Sequence, residues 1–385
     1  MNNVELLGSI KPKTRGQAAL LEALQDDSID IVGAFGPSGT GKSLITIAYA
    51  IDALKQGKYE KFIIARPVID IVTGKEITAA DVGVEDYYKM ASAYLQDILY
   101  GYISKDEIKK LYEEGKLMLV DTHYLRGRTF DRSIVVLDDA QNADPEAAVE
   151  ALMRVGERSK FVVVGDPVFQ SMTEMGKDGA SLLREILLNE PGASVIDLGL
   201  KDIVRPGARR GIRFMMELRM RRRPLSESEK AVIEAGRIYA PDADVITVVE
   251  FIDAKKRFGL EDIEHVPDAL VVLKEGHAPR FIGKGGERIA RIEEDSGLRL
   301  RTVELTNDLK PFITAIHPVP WIHKHIVDVD FAGPQLMVKV NEAEFGAFVG
   351  QKGNYVRFLS EVMKRLLGVS VWAVEAQQRR QRRRK

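Results

Sequence analysis

From Ile29 onward, short continuous apolar runs alternate with longer stretches whose apolar residues recur every three or four positions. Ile29–Val32, Phe62–Ala65, Leu117–Val120, Ile134–Leu137, Phe161–Val164 and Val195–Leu200 read as strands, and the unbroken runs Ile134–Leu137 and Phe161–Val164 as strands buried in a parallel sheet. Leu44, Ile47, Ala48, Ile51 and Leu54 mark an amphipathic helix after the first of these, Ala18–Gln25 a short helix before it, and Val68–Lys116 a mostly helical insertion. Strand alternating with helix predicts an α/β domain with a parallel sheet and helices on both faces. Past Pro224–Pro241 the rhythm shortens into two similar units. The first runs from Ala269–Leu273 through Phe281–Gly286 and a helix with Ile289 and Ile292 to Leu298–Val303. The second runs from Gln335–Val340 through Phe348–Gly353 and a helix with Val356, Leu359 and Val362 to Val369–Val374. The pattern predicts an α/β domain over residues 1–225 and α+β modules over 226–307 and 308–376. The Arg- and Gln-rich tail, 377–385, is expected to be disordered and to add a contact to nucleic acid.

The first strand opens into Gly36-Pro37-Ser38-Gly39-Thr40-Gly41-Lys42-Ser43, a complete phosphate-binding loop in its required context of strand, loop and helix. Its glycines let consecutive N–H groups turn inward on phosphate oxygens, and the next helix aims its positive end at the same anion. Lys42 would reach the β- and γ-phosphates, and the Ser43 hydroxyl would take one position on a bridging Mg²⁺. Ile134–Leu137 then delivers Asp138, expected to hold Mg²⁺ through water, and Asp139, expected to orient the attacking water, with a helix cap as the alternative role. Gln170, shortly after Phe161–Pro167, either senses the γ-phosphate, positions water or ends a strand. Arg126 and Arg128 flank Gly127 on a loop and suit a phosphate clamp, an arginine finger or a solvated surface. Gln17 stands one helix before the phosphate loop, where its amide could present a donor and an acceptor to an adenine edge or simply mark a solvated helix start.

Composition narrows the classes. The chain has 385 residues, no cysteine, and 56 Lys and Arg against 57 Asp and Glu. Disulfides, thiolate metal sites and cysteine nucleophiles are excluded, and nucleic-acid binding, if present, must be local. No apolar run approaches a membrane span and no signal-peptide pattern is present, so a cytoplasmic, soluble protein is expected. Locally, Arg205–Arg223 is strongly basic: either a solvated face or a phosphate-binding surface. The tyrosines of the insertion read as core or as base-stacking groups, and Trp321 and Trp372 as core.

Gly283-Lys284-Gly285-Gly286 and Gly350-Gln351-Lys352-Gly353 stand in matching frames, each between a strand-helix pair and a helix-strand pair. This is the minimal KH pattern, in which glycines let the backbone press against a single-stranded nucleic acid.

Residues from about 9 to 206 resemble the PhoH-like ATPase family, relatives of superfamily-one helicases. The resemblance is carried by Pro12-Lys13-Thr14 with Gln17, the phosphate loop, Arg66-Pro67, Arg126-Gly127-Arg128-Thr129, Asp138 with Ala140-Gln141-Asn142, Gly165-Asp166 with Gln170, and Asp202-Ile203-Val204-Arg205. It implies a P-loop NTPase with a RecA/helicase-like sheet that uses ATP and Mg²⁺, in which Gln17 reads adenine and Arg205 senses the γ-phosphate. It also implies a homo-oligomeric ring, commonly a hexamer. The C-terminal half is similar to the tandem type II KH pair of NusA-type transcription factors. This order of parts is similar to that of proteins with an N-terminal PIN nuclease domain; none precedes the core here, so any nuclease is expected to be a separate partner. The chain departs from the family at Asp139, where Glu is usual, and at Ile77–Gly83, which replaces a Leu-Gly-Phe-Leu-Pro-Gly segment.

Two functions follow as expectations. One is an ATP-driven motor that moves or remodels single-stranded RNA, or a branched DNA, held by its KH modules. The other is an RNA-binding switch whose ATP state sets affinity or assembly with slow turnover. A GTPase is disfavoured because no Asn-Lys-x-Asp motif follows the core.

Overall fold

A computed structural model describes residues 6–70, 73, 76–121, 127–169 and 176–376. The predicted apolar runs form one six-stranded sheet: β1 (Ile31–Phe35), β2 (Lys61–Ala65), β5 (Leu117–Val120), β6 (Ser133–Leu137), β7 (Lys160–Gly165) and β8 (Ala193–Asp197). Within the insertion, β3 (Val68–Ile69) and β4 (Glu76–Ile77) make a small hairpin. The sheet order is β5-β2-β6-β7-β1-β8, and every pairing is parallel.

Each strand feeds two cores, as a period of two requires. Val32, Ile64, Val136 and Val162 point to one face and pack with helices Arg15–Gln25, Lys42–Lys55, Val84–Ile98 and Lys105–Glu113. Ile63, Val135, Leu137 and Val163 point to the other and meet helices Pro145–Leu152 and Gly179–Leu187. Both faces are therefore dry, which is why β6 and β7 read as unbroken apolar runs. All six strands, being parallel, release their C-terminal ends at one edge, where the order reverses around β1.

The chain divides into two compact units: residues to Ala208 with Ala332–Pro334, and Arg209–Phe331 with Gln335 onward. The division falls inside one helix, Pro206–Arg222. The arginine-rich stretch forms that helix because Ile212, Met216 and Met220 supply a buried stripe at helical spacing.

In the second unit β9 (Val245–Glu250), β10 (Ala269–Lys274) and β11 (Leu300–Leu305) form a sheet in which β10 and β11 are parallel and β9 antiparallel. A second sheet has the order β12 (Ile326–Ala332), β13 (Gln335–Asn341), β14 (Ser370–Ala376), with β13 and β14 parallel. In each, the connection between the parallel strands is helix, glycine turn, helix. Among the described residues no helix is long and apolar enough to cross a membrane.

Candidate functional site

The phosphate loop begins where β1 leaves the sheet. A Cβ on Gly36 would lie 2.1 Å from the Leu198 carbonyl oxygen, so only glycine fits the bend. Helix Lys42–Lys55 starts at Gly41, left-handed with φ 85°, and turns its free N–H groups back over the loop. Lys42 is buried and folds onto the same loop: its ammonium donates to the Gly36 carbonyl at 2.6 Å and the Pro37 carbonyl at 2.9 Å. Burial pulls its pKa down, against the opposing pull of the Asp166, Asp138 and Asp139 carboxylates.

Ser43 and Asp138, expected to share a magnesium ion, are in direct contact, Ser43 Oγ donating to Asp138 Oδ1 at 3.0 Å. Asp138 is 1% exposed and also accepts from the Tyr94 hydroxyl and, at 3.0 Å, from the Asp139 N–H. Burial, then the adjacent Asp139 charge, pushes its carboxyl up to about 6. A hydroxyl beside one carboxylate suits a hard cation that keeps most of its shell in water and phosphate oxygens. Among the described residues no cluster of three or more His, Cys, Asp or Glu offers a site of another kind.

Asp139 takes a left-handed backbone, φ 53° and ψ 40°, which Asp tolerates better than most residues. Its side chain does not cap the turn Ala140–Asn142 that follows, so the helix-cap role is set aside. Instead Oδ2 accepts from Arg66 Nε at 2.7 Å and Nη2 at 2.6 Å, while Oδ1 accepts from Gln141 Nε2 at 3.3 Å. Arg66 lies 3.9 Å from the Tyr94 ring centre, a cation–π contact. Gln141 also accepts from the Asp166 N–H at 2.9 Å, tying the ends of β6 and β7 together. Asp166 accepts from Ser38 N–H at 3.2 Å and so steadies the phosphate loop from the β7 side. Burial pushes Asp166 up, opposed by Lys42 and three backbone N–H groups.

A cavity of about 590 Å³ joins these groups, with Lys42, Ser43, Asp139, Asp166, Arg66 and Tyr94 in its wall. Arg205 lines it too, on the segment where Val204 N–H bonds to the Gly39 carbonyl at 3.0 Å. Gln17 is buried beside it, its Oε1 accepting from Lys13 N–H at 2.7 Å and its Nε2 donating to the Thr40 carbonyl at 2.8 Å. Gln17 itself is not among the residues that line the cavity. Arg128 is not among the lining residues; its guanidinium sits 5.0 Å from the Phe130 ring centre. Arg126 and Gln170 lie outside the described residues.

Arg66, Tyr94 and Asp166 belong to the site and were not singled out for it from the residues. Arg66 and Asp166 each follow a buried apolar run, the signal that found Asp138. Tyr94 had no such signal, since it arrives from a helix of the insertion.

In the second unit the two glycine turns have nearly the same backbone. Gly283 has φ 77° and ψ 173° and Gly350 has 74° and 171°; Gly286 has 84° and 10° and Gly353 has 77° and 17°. A Cβ on Gly283 would strike Arg288 at 2.7 Å, and one on Gly350 would strike Asn354 at 2.4 Å. Lys284, Gly285, Gln351 and Lys352 are exposed at the tips. The arginine-rich helix is partly engaged in ion pairs of this unit: Arg213 with Glu275, Arg221 with Glu217 and Asp244, and Arg223, just past its end, with the buried Glu229. Both tryptophans, expected in the core, are surface residues, Trp321 at 44% and Trp372 at 46% exposure.

A family model described as PhoH-like protein matches residues 9–217, more than half of the chain. The chain belongs to the PhoH-like family. A PhoH-like protein of Bacillus subtilis is 33% identical over 199 residues, covering 51% of this chain and 60% of that protein. One from Synechocystis is 29% identical over 196 residues, covering 51% and 58%. The chain thus spans less than two thirds of these relatives' length. A large terminase from a thermophilic bacteriophage has 14% identity and a TM-score of 0.35 over 54% of this chain and 50% of that one, too low to add to the fold described. The PhoH-like region is an α/β unit with a parallel six-stranded sheet.

Proposed function

We propose that the chain is a magnesium-dependent ATPase coupled to nucleic-acid binding, its second unit a pair of type II KH modules that hold a single strand. The observation that carries the reading is that Lys42, Ser43 and Asp139 line one cavity while Ser43 donates at 3.0 Å to Asp138 buried behind it, a phosphate anchor beside a carboxylate pair. Lys42 exchanges its two loop carbonyls for phosphate oxygens, and the loop N–H groups and helix terminus complete the anion cradle. Magnesium, held by Ser43 and Asp138, would neutralise charge on the phosphates. Asp139, fixed by Arg66 and Gln141, orients water toward the terminal phosphate. Arg205 reaches the terminal phosphate within the chain, Gln17 reads the adenine edge, and Gln170, which follows β7 in the sequence, assists. Arg128, away from its own cavity, serves a neighbouring subunit's site in a ring.

Phosphate release from ATP, measured with and without single-stranded RNA, single-stranded DNA and branched DNA, tests the assignment. Stimulation by one of them supports the motor reading and names its substrate. Mixing Arg128→Ala with Lys42→Ala chains should restore part of the activity if each interface needs one half from each neighbour. No hydrolysis under any of these conditions would sink the enzyme reading.

One observation favours a switch as the second reading. Both carboxylates are engaged, Asp138 by Tyr94 and Asp139 by Arg66, an arrangement that slows turnover until something displaces those partners. ATP-dependent affinity for RNA with turnover indifferent to RNA would favour it.

A further inference from the structure

We propose that Trp372 is a base-stacking platform: the second module seats one unstacked nucleobase of a single strand in the groove between its glycine turn and β14, and the first module does not. This rests on the nucleic-acid reading of the two modules and goes further by assigning a subsite to one of them.

The groove measures about 420 Å³ and is walled by Phe345, Val349, Val356 and Trp372, with Lys352 and Arg357 at its rim. Trp372 sits in the middle of β14, paired in register with Met337, yet it is 46% exposed. A large aromatic face turned outward beside half-buried aliphatics is a surface waiting for a flat apolar partner. The rim decides which partner. Lys352 and Arg357 are exposed cations next to the glycine turn, and Arg357 donates to the Lys352 carbonyl at 2.9 Å, which holds the pair together. A flat ring carrying a phosphodiester satisfies wall and rim at once.

Backbone strain points the same way. Lys352 has φ 51°, in the left-handed region, where the first turn has Gly285 at φ 66°. The turn thus bears the strain of a side chain where glycine would be easier, and that side chain stands at the groove's rim.

The first module supplies the contrast. Counting from its glycine turn, Ala278 stands where the second has Phe345, and Ala290 where it has Arg357. Counting from the glycine that closes the following helix, Gly297 in the first and Gly368 in the second, Arg301 stands where the second has Trp372. Arg301 is exposed and its guanidinium donates to the His265 carbonyl at 3.4 Å. Such a surface can follow a phosphate backbone but offers no plate for a base.

Trp321→Phe leaves Trp372 as the sole tryptophan of the full chain. Titration of that variant with oligo(U) and with oligo(dT) should quench Trp372 emission, whereas a duplex RNA or DNA, its bases already stacked, should not. Quenching by oligo(U) alone identifies RNA as the source of the base; quenching by both leaves the platform indifferent to the sugar. Trp372→Ala should weaken single-strand affinity about tenfold, the usual scale for one lost base–aromatic stack. Trp372→Phe, which keeps a ring, should recover most of it. If the oligonucleotides bind but Trp372 emission does not change, the platform is wrong. It is equally wrong if Trp372→Ala binds like the parent while Gln351→Asp with Lys352→Asp weakens binding, and then the nucleic-acid reading survives without it. If the parent binds neither oligonucleotide, that reading itself falls.

Discussion

The phosphate loop and the glycine turns of the second unit are the same device in two settings: a glycine bend that delivers the chain into a helix N-terminus. Around the phosphate loop the charges are buried, with Lys42 at 7%, Asp138 at 1% and Asp166 at 2% exposure. Around the turns they stand in water, Lys284 and Lys352 at the tips. Burial makes each charge costly to leave alone, so Lys42, Ser43, Asp138 and Asp139 are tightly partnered and any phosphate must replace defined bonds. Exposure makes contact with a backbone adjustable and sensitive to salt. On the function proposed, a glycine loop meets phosphate in both settings, and the depth of the surrounding charges sets whether it holds a strand or performs chemistry.

Two substitutions attack the buried side of this contrast, and they carry the largest effects. Lys42→Ala should abolish ATP turnover, a loss on the order of a thousandfold or more in phosphate release, because a positioned cation at developing charge is worth that much. Thermal melting should change little, since its bonds are confined to Gly36, Pro37 and Thr40. Full activity in that variant would remove the loop from the chemistry. Asp139→Asn should cost roughly a hundredfold in turnover, the scale of a water displaced by about an ångström, while leaving nucleotide affinity within a few-fold. Equal turnover in variant and parent would return Asp139 to a structural role.

How much of this could be read in advance follows the same division. The sheet was legible because strands buried on both faces are written as unbroken apolar runs, and the phosphate loop because its spelling is dictated by backbone shape. Within the second unit, β9 and β12 went unnoticed. Val245–Glu250 sits close behind the boundary segment, and Ile326–Ala332 alternates with Asp328 and Asp330, which hides its apolar face. Arg66 and Asp166 stood at strand ends that had been recognised, but Tyr94 reaches Asp138 across the fold from an insertion helix, and no local pattern encodes such a contact. Trp372 was misplaced for a similar reason: a strand residue's face depends on what packs on the sheet, and only the fold reveals that.

The second glycine turn is anchored by a buried histidine, which gives an effect of intermediate size. His317 Nε2 lies 3.1 Å from the Phe348 carbonyl, two residues before Gly350, and its Nδ1 accepts from Val319 N–H at 3.0 Å. With Nδ1 an acceptor, the ring is neutral and Nε2–H is the donor to Phe348. Burial lowers its pKa to about 4 from an ordinary 6.5. A depressed folded pKa means that the stabilisation is fully present above pH 6.5 and is lost as pH falls through about 4. The second module should therefore lose about 3 kcal/mol between those limits. Denaturant unfolding followed across that range, compared with His317→Gln, which keeps a donor and an acceptor but does not titrate, isolates the term. Identical pH slopes in the two proteins would show that His317 is not the sensor.

The smallest effect lies at the tip of that turn and separates electrostatics from shape. The left-handed backbone at Lys352 costs about 1 kcal/mol for a non-glycine residue at such angles. Lys352→Gly relieves that strain but gives the unfolded chain more freedom, a loss of about 0.5–1 kcal/mol, so stability should stay within a few tenths of the parent. Binding should change in one specific way. A lysine that contacts a phosphate contributes about 0.7 to the slope of log affinity against log salt on single strands, so the variant's slope should be shallower by about that amount. At low salt its affinity should fall several-fold, and at high salt the two proteins should converge, whereas loss of Trp372 should weaken binding at every salt concentration alike. A Lys352→Gly variant with an unchanged slope would place the ammonium off the strand, and the turn would then act through its backbone alone.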